Sequence, residues 1–312
     1  MRAATIRDND IVIEQRPDPQ AGVGEVLVRV RGAGLNGADM LQRRGMYPAP
    51  PGSPQDIPGM ELAGEVAALG PGAGRFDVGD RVMAIVGGGA QAELCVVHER
   101  QLMPVPRALD WPAAGGLPEV FATAHDAVFT QGQLRSGERL LVHAGAGGVG
   151  TAAIQLACAA GARVTATVRN EALREQVGQL GAQVIAPERF AEHGPFDVIL
   201  ELVGGPNMPE NLQALATGGR IAVIGVGAGA KSELNLLALM GKRARIHGST
   251  LRARPLEEKA LVARQLEHEV LPLFDAGKLR VPVAATFPLD DALAAYERFA
   301  AGGKLGKIVI TF

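Results

Sequence analysis

The sequence is poor in cysteine and in aromatic residues. Only two of its 312 residues are cysteines, Cys95 and Cys158, which excludes a disulfide framework and a structural zinc site of four thiolates. Aromatic residues make up 4% of the chain and hydrophobic residues 47%, so the core must be built from aliphatic side chains. The 41 glycines and 20 prolines indicate an architecture rich in turns.

The sequence also lacks an excess of charge of either sign. Lys and Arg total 31 against 33 Asp and Glu, which argues against a nucleic-acid partner or a polybasic membrane binder. The apolar stretch 140–168 is interrupted by glycines, His143 and Arg163, so it does not indicate a membrane span. Asp8 and Glu14 interrupt any apolar run where a signal peptide would lie. We therefore expect a cytoplasmic protein.

A chain of this length is typical of two domains. The pattern of predicted strands and helices changes twice along it. The first third predicts short strands separated by turns, at residues 25–31, 62–68, 81–86 and 92–97. A proline-rich loop at residues 47–59 lies among them. From residue 118 strands alternate with helices, which indicates a doubly wound parallel sheet. Its predicted strands are 139–143, 162–168, 197–202 and 220–225, and its predicted helices are 148–160 and 171–180. The last part predicts helices at 255–276 and 289–301 and a strand at 307–312.

A glycine motif of the form G-x-G-x-x-G follows the strand at residues 139–143 and opens a helix. Its residues are Gly145, Ala146, Gly147, Gly148, Val149 and Gly150. In that context Gly145 allows a tight turn, Gly147 lets the backbone approach a pyrophosphate, and Gly150 lets helix and strand pack closely. The free amides at the helix start then bind the phosphates. The alternative is a tight turn between strand and helix without a ligand.

The end of the next strand bears on the choice between NAD and NADP. An NAD site has an acidic residue there, about 20 residues on, to bind the ribose 2′-hydroxyl. The sequence instead has Arg169 and Asn170, and a guanidinium favours a 2′-phosphate. We therefore predict NADPH as the cofactor. The alternative is that Arg169 is a solvated surface residue. The negative charge of the nearby Glu171 slightly disfavours a 2′-phosphate.

Five segments resemble the zinc-independent quinone oxidoreductases of the medium-chain dehydrogenase/reductase superfamily. They are residues 35–48, 117–124, 145–150, 248–254 and 306–309, and they are most similar to the tumour-suppressor-inducible branch. The resemblance implies an α/β protein with a GroES-like β-barrel catalytic domain and a Rossmann domain. The catalytic domain is expected at residues 1–117 and 255–312 and the Rossmann domain at 118–254. It also implies a homodimer formed through the edge of the Rossmann sheet.

The resemblance also implies that the protein uses no zinc. The positions that hold the catalytic metal in zinc-dependent relatives correspond here to Asn36, Met60 and Glu119. One carboxylate without a thiolate or imidazole does not suit zinc. The relatives' four-cysteine lobe is absent as well. Two residues that often stand near the 2′-phosphate in the family correspond to Leu173 and Pro187, so NADPH preference rests on Arg169, Asn170 and Arg174.

By the same resemblance, hydride passes from a nicotinamide to a quinone or a similar activated carbonyl. Tyr47, Asn36 and Glu119 are the catalytic candidates, and Thr123 faces the nicotinamide. Tyr47 donates a hydrogen bond to the acceptor oxygen or only packs, and Glu119 handles a proton or is a salt-bridged structural acid. The cofactor contacts carried over are Gly145 to Gly150, Gly225, Val226, Ser249, Thr250 and Leu251. Two alternatives stay open, an NADPH-dependent enoyl or alkenal reductase and a noncatalytic NADPH-binding protein.

Overall fold

Strands form where short alternating or continuous apolar runs are bounded by glycine and proline. The computed structural model describes residues 1–312. Its strands are β1 Arg2–Arg7, β2 Asp10–Gln15, β3 Glu25–Gly34, β4 Glu61–Leu69, β5 Arg81–Ile85, β6 Leu94–His98, β7 Met103–Pro104, β8 Arg139–Val142, β9 Arg163–Thr167, β10 Gln183–Ile185, β11 Phe196–Glu201, β12 Leu215–Val223, β13 Arg245–Gly248, β14 Val283–Pro288 and β15 Lys307–Thr311.

The α-helices are short except for two, α4 and α8. They are α1 Gly37–Arg43, α2 Trp111–Gly115, α3 Pro118–His125, α4 Gly148–Ala159, α5 Arg174–Gly178, α6 Met208–Ala214, α7 Leu236–Lys242, α8 Leu256–Glu269, α9 Leu271–Asp275 and α10 Ala292–Ala300. A π-helical segment, Asp126–Gln131, directly follows α3. None of these helices has the length and apolar character needed to cross a bilayer.

Residues 1–122 and 251–312 form one compact unit, called here the discontinuous unit. Its seven-stranded sheet runs in the order β14-β15-β3-β4-β5-β7, with β6 also paired to β3, and β1 and β2 form a separate hairpin. All pairs are antiparallel except β14 with β15. Along β3, Val26, Val28 and Val30 are buried on one face, as the alternation predicts.

Residues 123–250 form the second compact unit, called here the inserted unit. Its six-stranded sheet has the order β10-β9-β8-β11-β12-β13, and every pair is parallel. The order of the strands reverses between β8 and β11. In sheets of this kind ligands bind at the carboxyl ends of the strands beside that point. The glycine motif lies there, between β8 and α4.

Three helix predictions were too long. The helix predicted over 289–301 begins with a 3₁₀ turn at Leu289–Asp291, and only Ala292–Ala300 is α-helical. The helix predicted over 255–276 is divided at Val270 into α8 and α9, because Pro272 has no amide hydrogen and cannot continue the hydrogen-bond ladder of α8. The segment predicted as a helix over 171–180 begins with a 3₁₀ turn at Glu171–Leu173, and only Arg174–Gly178 is α-helical.

The boundaries between the compact units lie a few residues from the predicted ones at 117/118 and 254/255. They fall between Ala122 and Thr123 and between Thr250 and Leu251. Contacts within the discontinuous unit explain the shift. The backbone N–H of Glu119 donates to Glu61, and the Arg252 guanidinium donates to the carbonyl of Gly87.

Candidate functional site

The glycine loop leaves β8 through a left-handed residue. Ala144 has a φ of 52°, and the N–H of Gly145 donates to the carbonyl of Thr167 at 3.0 Å. The tight turn assigned to Gly145 is therefore made by Ala144. Gly145 is needed for another reason, since a Cβ there would lie 2.9 Å from the Cβ of Ala166 on β9.

The other two glycines of the motif differ in their surroundings. A Cβ on Gly150 would lie 2.5 Å from the carbonyl oxygen of Ala144, so α4 packs tightly against the loop there. A Cβ on Gly147 would meet nothing closer than 3.4 Å, so its outer side is open. The amides of Gly148 and Val149 are at the start of α4, where N–H groups have no intrahelical acceptor. The loop therefore has the space and the donors that a pyrophosphate requires.

Beyond β9 lie the three side chains that the sequence predicts for contact with a ribose 2′-phosphate. Asn170 accepts a hydrogen bond from the N–H of Ala172 at 3.1 Å and so caps the following 3₁₀ turn. Arg174 donates through Nε to the carbonyl of Val168 at 3.1 Å. Arg169 is exposed and forms no hydrogen bond or ion pair, which leaves its guanidinium available to an anion.

Two further loops carry predicted cofactor contacts in the inserted unit. The carbonyl of Glu201 at the end of β11 accepts the N–H groups of Ile224 and Gly225, at 2.9 and 3.2 Å. Val226 follows and is exposed. After β13, the Ser249 hydroxyl donates to Asp126 at 2.7 Å, while Thr250 is exposed.

In the discontinuous unit, Asn36 belongs to a buried charged cluster around Glu61. One oxygen of the Glu61 carboxylate lies 2.6 Å from the Lys307 ammonium and accepts from the Asn36 amide at 2.9 Å. The other oxygen accepts the backbone N–H of Glu119 at 2.8 Å. Lys307 also donates to the amide oxygen of Asn36 at 2.7 Å. Both ends of the Asn36 amide are thus used within the protein.

Tyr47 lies against Arg252, a fully buried guanidinium. Arg252 donates to the carbonyls of Gly87 and Tyr47, at 2.7 and 3.1 Å, and to the side-chain oxygen of Gln42 at 2.6 Å. Its guanidinium carbon is 5.2 Å from the centre of the Tyr47 ring. The Tyr47 ring is half-buried, and this burial raises the pKa of its hydroxyl, while the charge of Arg252 opposes the rise. That hydroxyl forms no hydrogen bond within the chain, so it can donate one to a bound molecule.

Glu119, the third catalytic candidate, lies near the start of α3 and within electrostatic reach of Tyr47, Arg252 and Lys259. Burial lowers the pKa of Lys259, and the charge of Arg252 lowers it further, while Glu119 opposes both effects. Leu251 is buried in this unit, where it lines a small cavity together with Lys259. Thr123 is also buried but begins the inserted unit.

The three positions that hold a metal in zinc-dependent relatives do not fit zinc here. The Asn36 amide is committed to Glu61 and Lys307, and Met60 offers only a buried thioether. Glu119 supplies the single carboxylate. No group of three or more His, Cys, Asp or Glu side chains in the structure is arranged to hold a metal ion. The donor set is therefore wrong for zinc, which prefers thiolate and imidazole.

Sequence reasoning missed four residues of these clusters as functional candidates, Glu61, Lys307, Arg252 and Lys259. Lys307 and Arg252 lie in segments that carry the family resemblance, but no pattern in the sequence links either of them to Glu61 or Tyr47. Glu61 had a signal of its own, a carboxylate directly before the apolar residues of β4. A buried acid needs a partner, which could have prompted a search for one.

Comparisons with known proteins agree with this architecture. Residues 22–107 match the alcohol dehydrogenase GroES-like domain, and residues 180–310 match the zinc-binding dehydrogenase family. The chain is 31% identical to the quinone oxidoreductase of Rattus norvegicus, over 97% of this chain and 92% of that protein. The chain belongs to the medium-chain dehydrogenase/reductase superfamily. It is also 33% identical to the spectinabilin polyketide synthase system protein NorB of Streptomyces orinoci, over 97% of this chain and 14% of that protein.

Solved structures of this superfamily share the fold along the whole chain. An alcohol dehydrogenase superfamily protein from Novosphingobium aromaticivorans is 32% identical, with a TM-score of 0.88 over 100% of this chain and 99% of that one. A mycobacterial protein complexed with NADPH is 27% identical, with a TM-score of 0.88 over 100% of both chains. The predicted fold class, a GroES-like domain with a Rossmann domain, is confirmed. The chain is an oxidoreductase of this superfamily with a nicotinamide-binding domain.

Proposed function

We propose that this protein reduces quinones, or similarly activated carbonyl compounds, with NADPH and without zinc. The observation that carries the proposal is the glycine loop with an open outer side at Gly147, followed by the unpartnered Arg169 at the end of the next strand. The similarity to the rat quinone oxidoreductase supports the choice of acceptor. A bound nicotinamide supplies a hydride from its C4 position.

The protein's own groups divide the remaining tasks between the two units. In the inserted unit, the amides at the start of α4 bind the pyrophosphate, and Arg169 pairs with the 2′-phosphate. In the discontinuous unit, the Tyr47 hydroxyl donates to the acceptor oxygen as negative charge develops there. The Asn36 side chain is a polar group held rigidly by Glu61 and Lys307. Glu119 is a carboxylate able to hold a proton.

Zinc independence follows from the donor set and from the kind of acceptor. Without a Lewis acid, alcohol oxidation loses the activation of the hydroxyl that zinc-dependent relatives use, whereas a quinone already accepts hydride readily. We expect the purified protein to oxidise NADPH with quinones, followed by the nicotinamide absorbance, at the same rate with and without a chelator. NADPH binding without turnover of any quinone or enone would instead favour a noncatalytic NADPH-binding protein. Loss of activity in chelator, restored by zinc, would contradict the proposal.

The preference for NADPH is tested by Arg169→Asp. A charge-assisted contact to phosphate contributes roughly 1.5–3 kcal/mol, so the variant should lose about one to two decades of NADPH affinity and favour NADH. Arg163→Asp, at the opposite end of β9, is the matched control and should leave the ratio of the two affinities unchanged. Equal binding of NADPH and NADH by the unaltered protein would make Arg169 a bystander.

An NADPH-dependent enoyl reductase is a second candidate, favoured by the similarity to the polyketide synthase protein NorB. Reduction of an α,β-unsaturated thioester uses the same hydride transfer and again needs no metal. The acceptor panel should therefore include a short enoyl thioester. A much higher kcat/KM for that thioester than for any quinone would decide for the enoyl reductase.

We also propose that the protein forms a homodimer through the edge of the inserted unit's sheet. β13 is an edge strand there, and α7, which packs on β12, exposes Leu236, Leu237 and Met240. Edge strands and clustered apolar side chains are both features of association surfaces. Leu237→Glu should give a monomer in light scattering, whereas Leu261→Glu, which changes another exposed leucine, on α8, should not. A dimer that survives Leu237→Glu would exclude this surface.

A further inference from the structure

A continuous chain of buried hydrogen bonds runs beneath the glycine loop in the inserted unit. His143, directly after β8, is fully buried between two polar side chains. Its Nδ1 lies 3.1 Å from the hydroxyl of Thr167 at the end of β9. Its Nε2 lies 2.8 Å from the amide oxygen of Asn211 on α6. The Asn211 amide nitrogen donates to the carboxylate of Glu201, at the end of β11, at 2.6 Å.

The carboxylate at one end of this chain determines the direction of every hydrogen bond in it. A carboxylate only accepts, so Asn211 must turn its NH₂ to Glu201 and its oxygen to His143. His143 must then carry its proton on Nε2, which leaves Nδ1 to accept from the Thr167 hydroxyl. Burial lowers the pKa of His143, in agreement with this neutral form. The Thr167 oxygen remains free to accept, and it receives the N–H of Ala144 at 3.3 Å.

The same chain reaches two other loops at the carboxyl edge of the sheet. The second oxygen of Glu201 accepts the backbone N–H groups of Val203 and Gly204, at 2.6 and 2.7 Å. The backbone carbonyl of Glu201 holds Gly225, as described above. At its other end the chain holds the N–H of Ala144, the left-handed residue that opens the glycine loop. A buried network with every member satisfied is rigid, because any displaced group would lose its partner in a medium of low dielectric.

We propose that the chain Thr167–His143–Asn211–Glu201 is a positioning device that fixes the glycine loop for the pyrophosphate shared by NADPH and NADH. None of these four side chains is assigned to contact the cofactor. They act through the backbone of Ala144 and of the loops after β11 and β12. This inference rests on the proposed function, since it presupposes that the loop binds a dinucleotide.

A matched pair of substitutions at Thr167 tests the device. Thr167→Val keeps the shape of this buried residue and removes the hydroxyl. Thr167→Ser keeps the hydroxyl and removes a methyl group, so it harms packing and spares the chain. We expect Thr167→Val to raise the Kd of NADPH and of NADH by the same factor, about five- to tenfold, with kcat at saturating NADPH within about twofold of wild type. Thr167→Ser should restore both affinities to within about twofold.

Two further measurements separate positioning from a general loss of structure. Adenosine 2′-monophosphate carries the 2′-phosphate and has neither phosphate of the pyrophosphate, so Thr167→Val should leave its affinity unchanged. Asn211→Leu breaks the chain between His143 and Glu201 and should weaken both dinucleotides in the same proportion. It also serves if Thr167→Val fails to fold.

Four other results would overturn the inference, the proposed function or both. Weaker dinucleotide binding by Thr167→Ser than by Thr167→Val would show that packing decides, and would overturn the inference. So would an effect on NADPH alone, which would place the change at the 2′-phosphate. A wild-type protein that binds neither dinucleotide would overturn the proposed function together with this inference. Wild-type binding that Thr167→Val leaves intact would overturn only the inference.

Discussion

Each unit of the molecule buries a glutamate completely, and the two are stabilised in different ways. Glu61 in the discontinuous unit lies 2.6 Å from the Lys307 ammonium. Glu201 in the inserted unit has no lysine or arginine beside it and is held by hydrogen bonds from two backbone amides and Asn211. One carboxylate is therefore neutralised by a charge, and the other is solvated by N–H dipoles.

The difference teaches what each arrangement can tolerate. The cation of Glu61 comes from β15, far along the chain, and a buried lysine cannot adapt if its partner disappears. The donors to Glu201 are local, and one of them is an amide that can turn by 180° and accept instead. The ion pair ties distant segments together, whereas the dipoles order nearby loops. The two glutamates should therefore respond differently to the same isosteric substitution.

The largest effect is expected from Glu61→Gln. It removes the charge and leaves the Lys307 ammonium buried without a counterion, which costs roughly 3–5 kcal/mol of unfolding free energy. The single tryptophan, Trp111, lies in the discontinuous unit, so its fluorescence during urea unfolding reports on that unit. Removing both charges, in Glu61→Gln combined with Lys307→Met, should recover most of the loss. A double variant as unstable as the single one would mean that packing, not charge, is at stake.

Asp39 is an intermediate case, since it is buried and accepts two backbone N–H groups, from Asn36 and Gly59, with no cation in direct contact. Burial raises the pKa of Asp39 to about 6. The unfolded chain loses this proton near pH 4 and the folded chain only near pH 6. Hence the free energy of unfolding should fall by about 2–3 kcal/mol as pH rises through that window, and level off above it.

The substitution Asp39→Asn removes this titration. The difference in unfolding free energy between wild type and Asp39→Asn should shift in favour of the variant by about that amount between pH 4 and pH 7. Hydrogen bonds altered by the amide are the same at every pH and cancel from the change. Parallel pH profiles for the two proteins would show that Asp39 does not titrate in this range.

Glu201→Gln is expected to have the smallest effect, a loss of about 1–2 kcal/mol of unfolding free energy. The loss is small because the hydrogen bonds that link Glu201 to Asn211, His143 and Thr167 can all reverse their direction. The new amide faces Asn211, which turns its oxygen toward it and its NH₂ toward His143. His143 must then move its proton from Nε2 to Nδ1. Nitrogen NMR of the imidazole should show this change of tautomer, and hydrogen exchange of β11 should report the modest loss of stability. An unchanged tautomer would contradict the assigned direction of the chain.

The inserted unit was more predictable from sequence than the discontinuous one. Its strands and helices alternate, so the parallel sheet, the glycine loop and the position of Arg169 follow from local patterns. The π-helical segment Asp126–Gln131 does not, since nothing in its composition separates it from an α-helix. The left-handed Ala144 was missed because alanine rarely adopts that conformation.

The polar clusters were less predictable. Asn36 and Tyr47 were chosen by resemblance, but their partners Lys307 and Arg252 lie more than 200 residues away in sequence. Such pairs are set by tertiary structure, and no periodicity or spacing indicates them. His143 and Glu201 each end an apolar strand, which is a detectable signal for a buried polar network. Asn211, which joins them, comes from a helix and carries no such signal.

The attachment of Lys307 to Glu61 has a consequence for the order of events on the ribosome. Residues 123–250 emerge as one continuous stretch and can fold as soon as they leave the exit tunnel. In the discontinuous unit β15 lies between β14 and β3, so this sheet cannot be completed until β15 has left the ribosome. Until then Glu61 lacks its cation, and we expect the first 122 residues to remain incompletely folded. Nascent chains halted before residue 307 should therefore hold a folded inserted unit beside an unfinished, protease-sensitive amino-terminal segment.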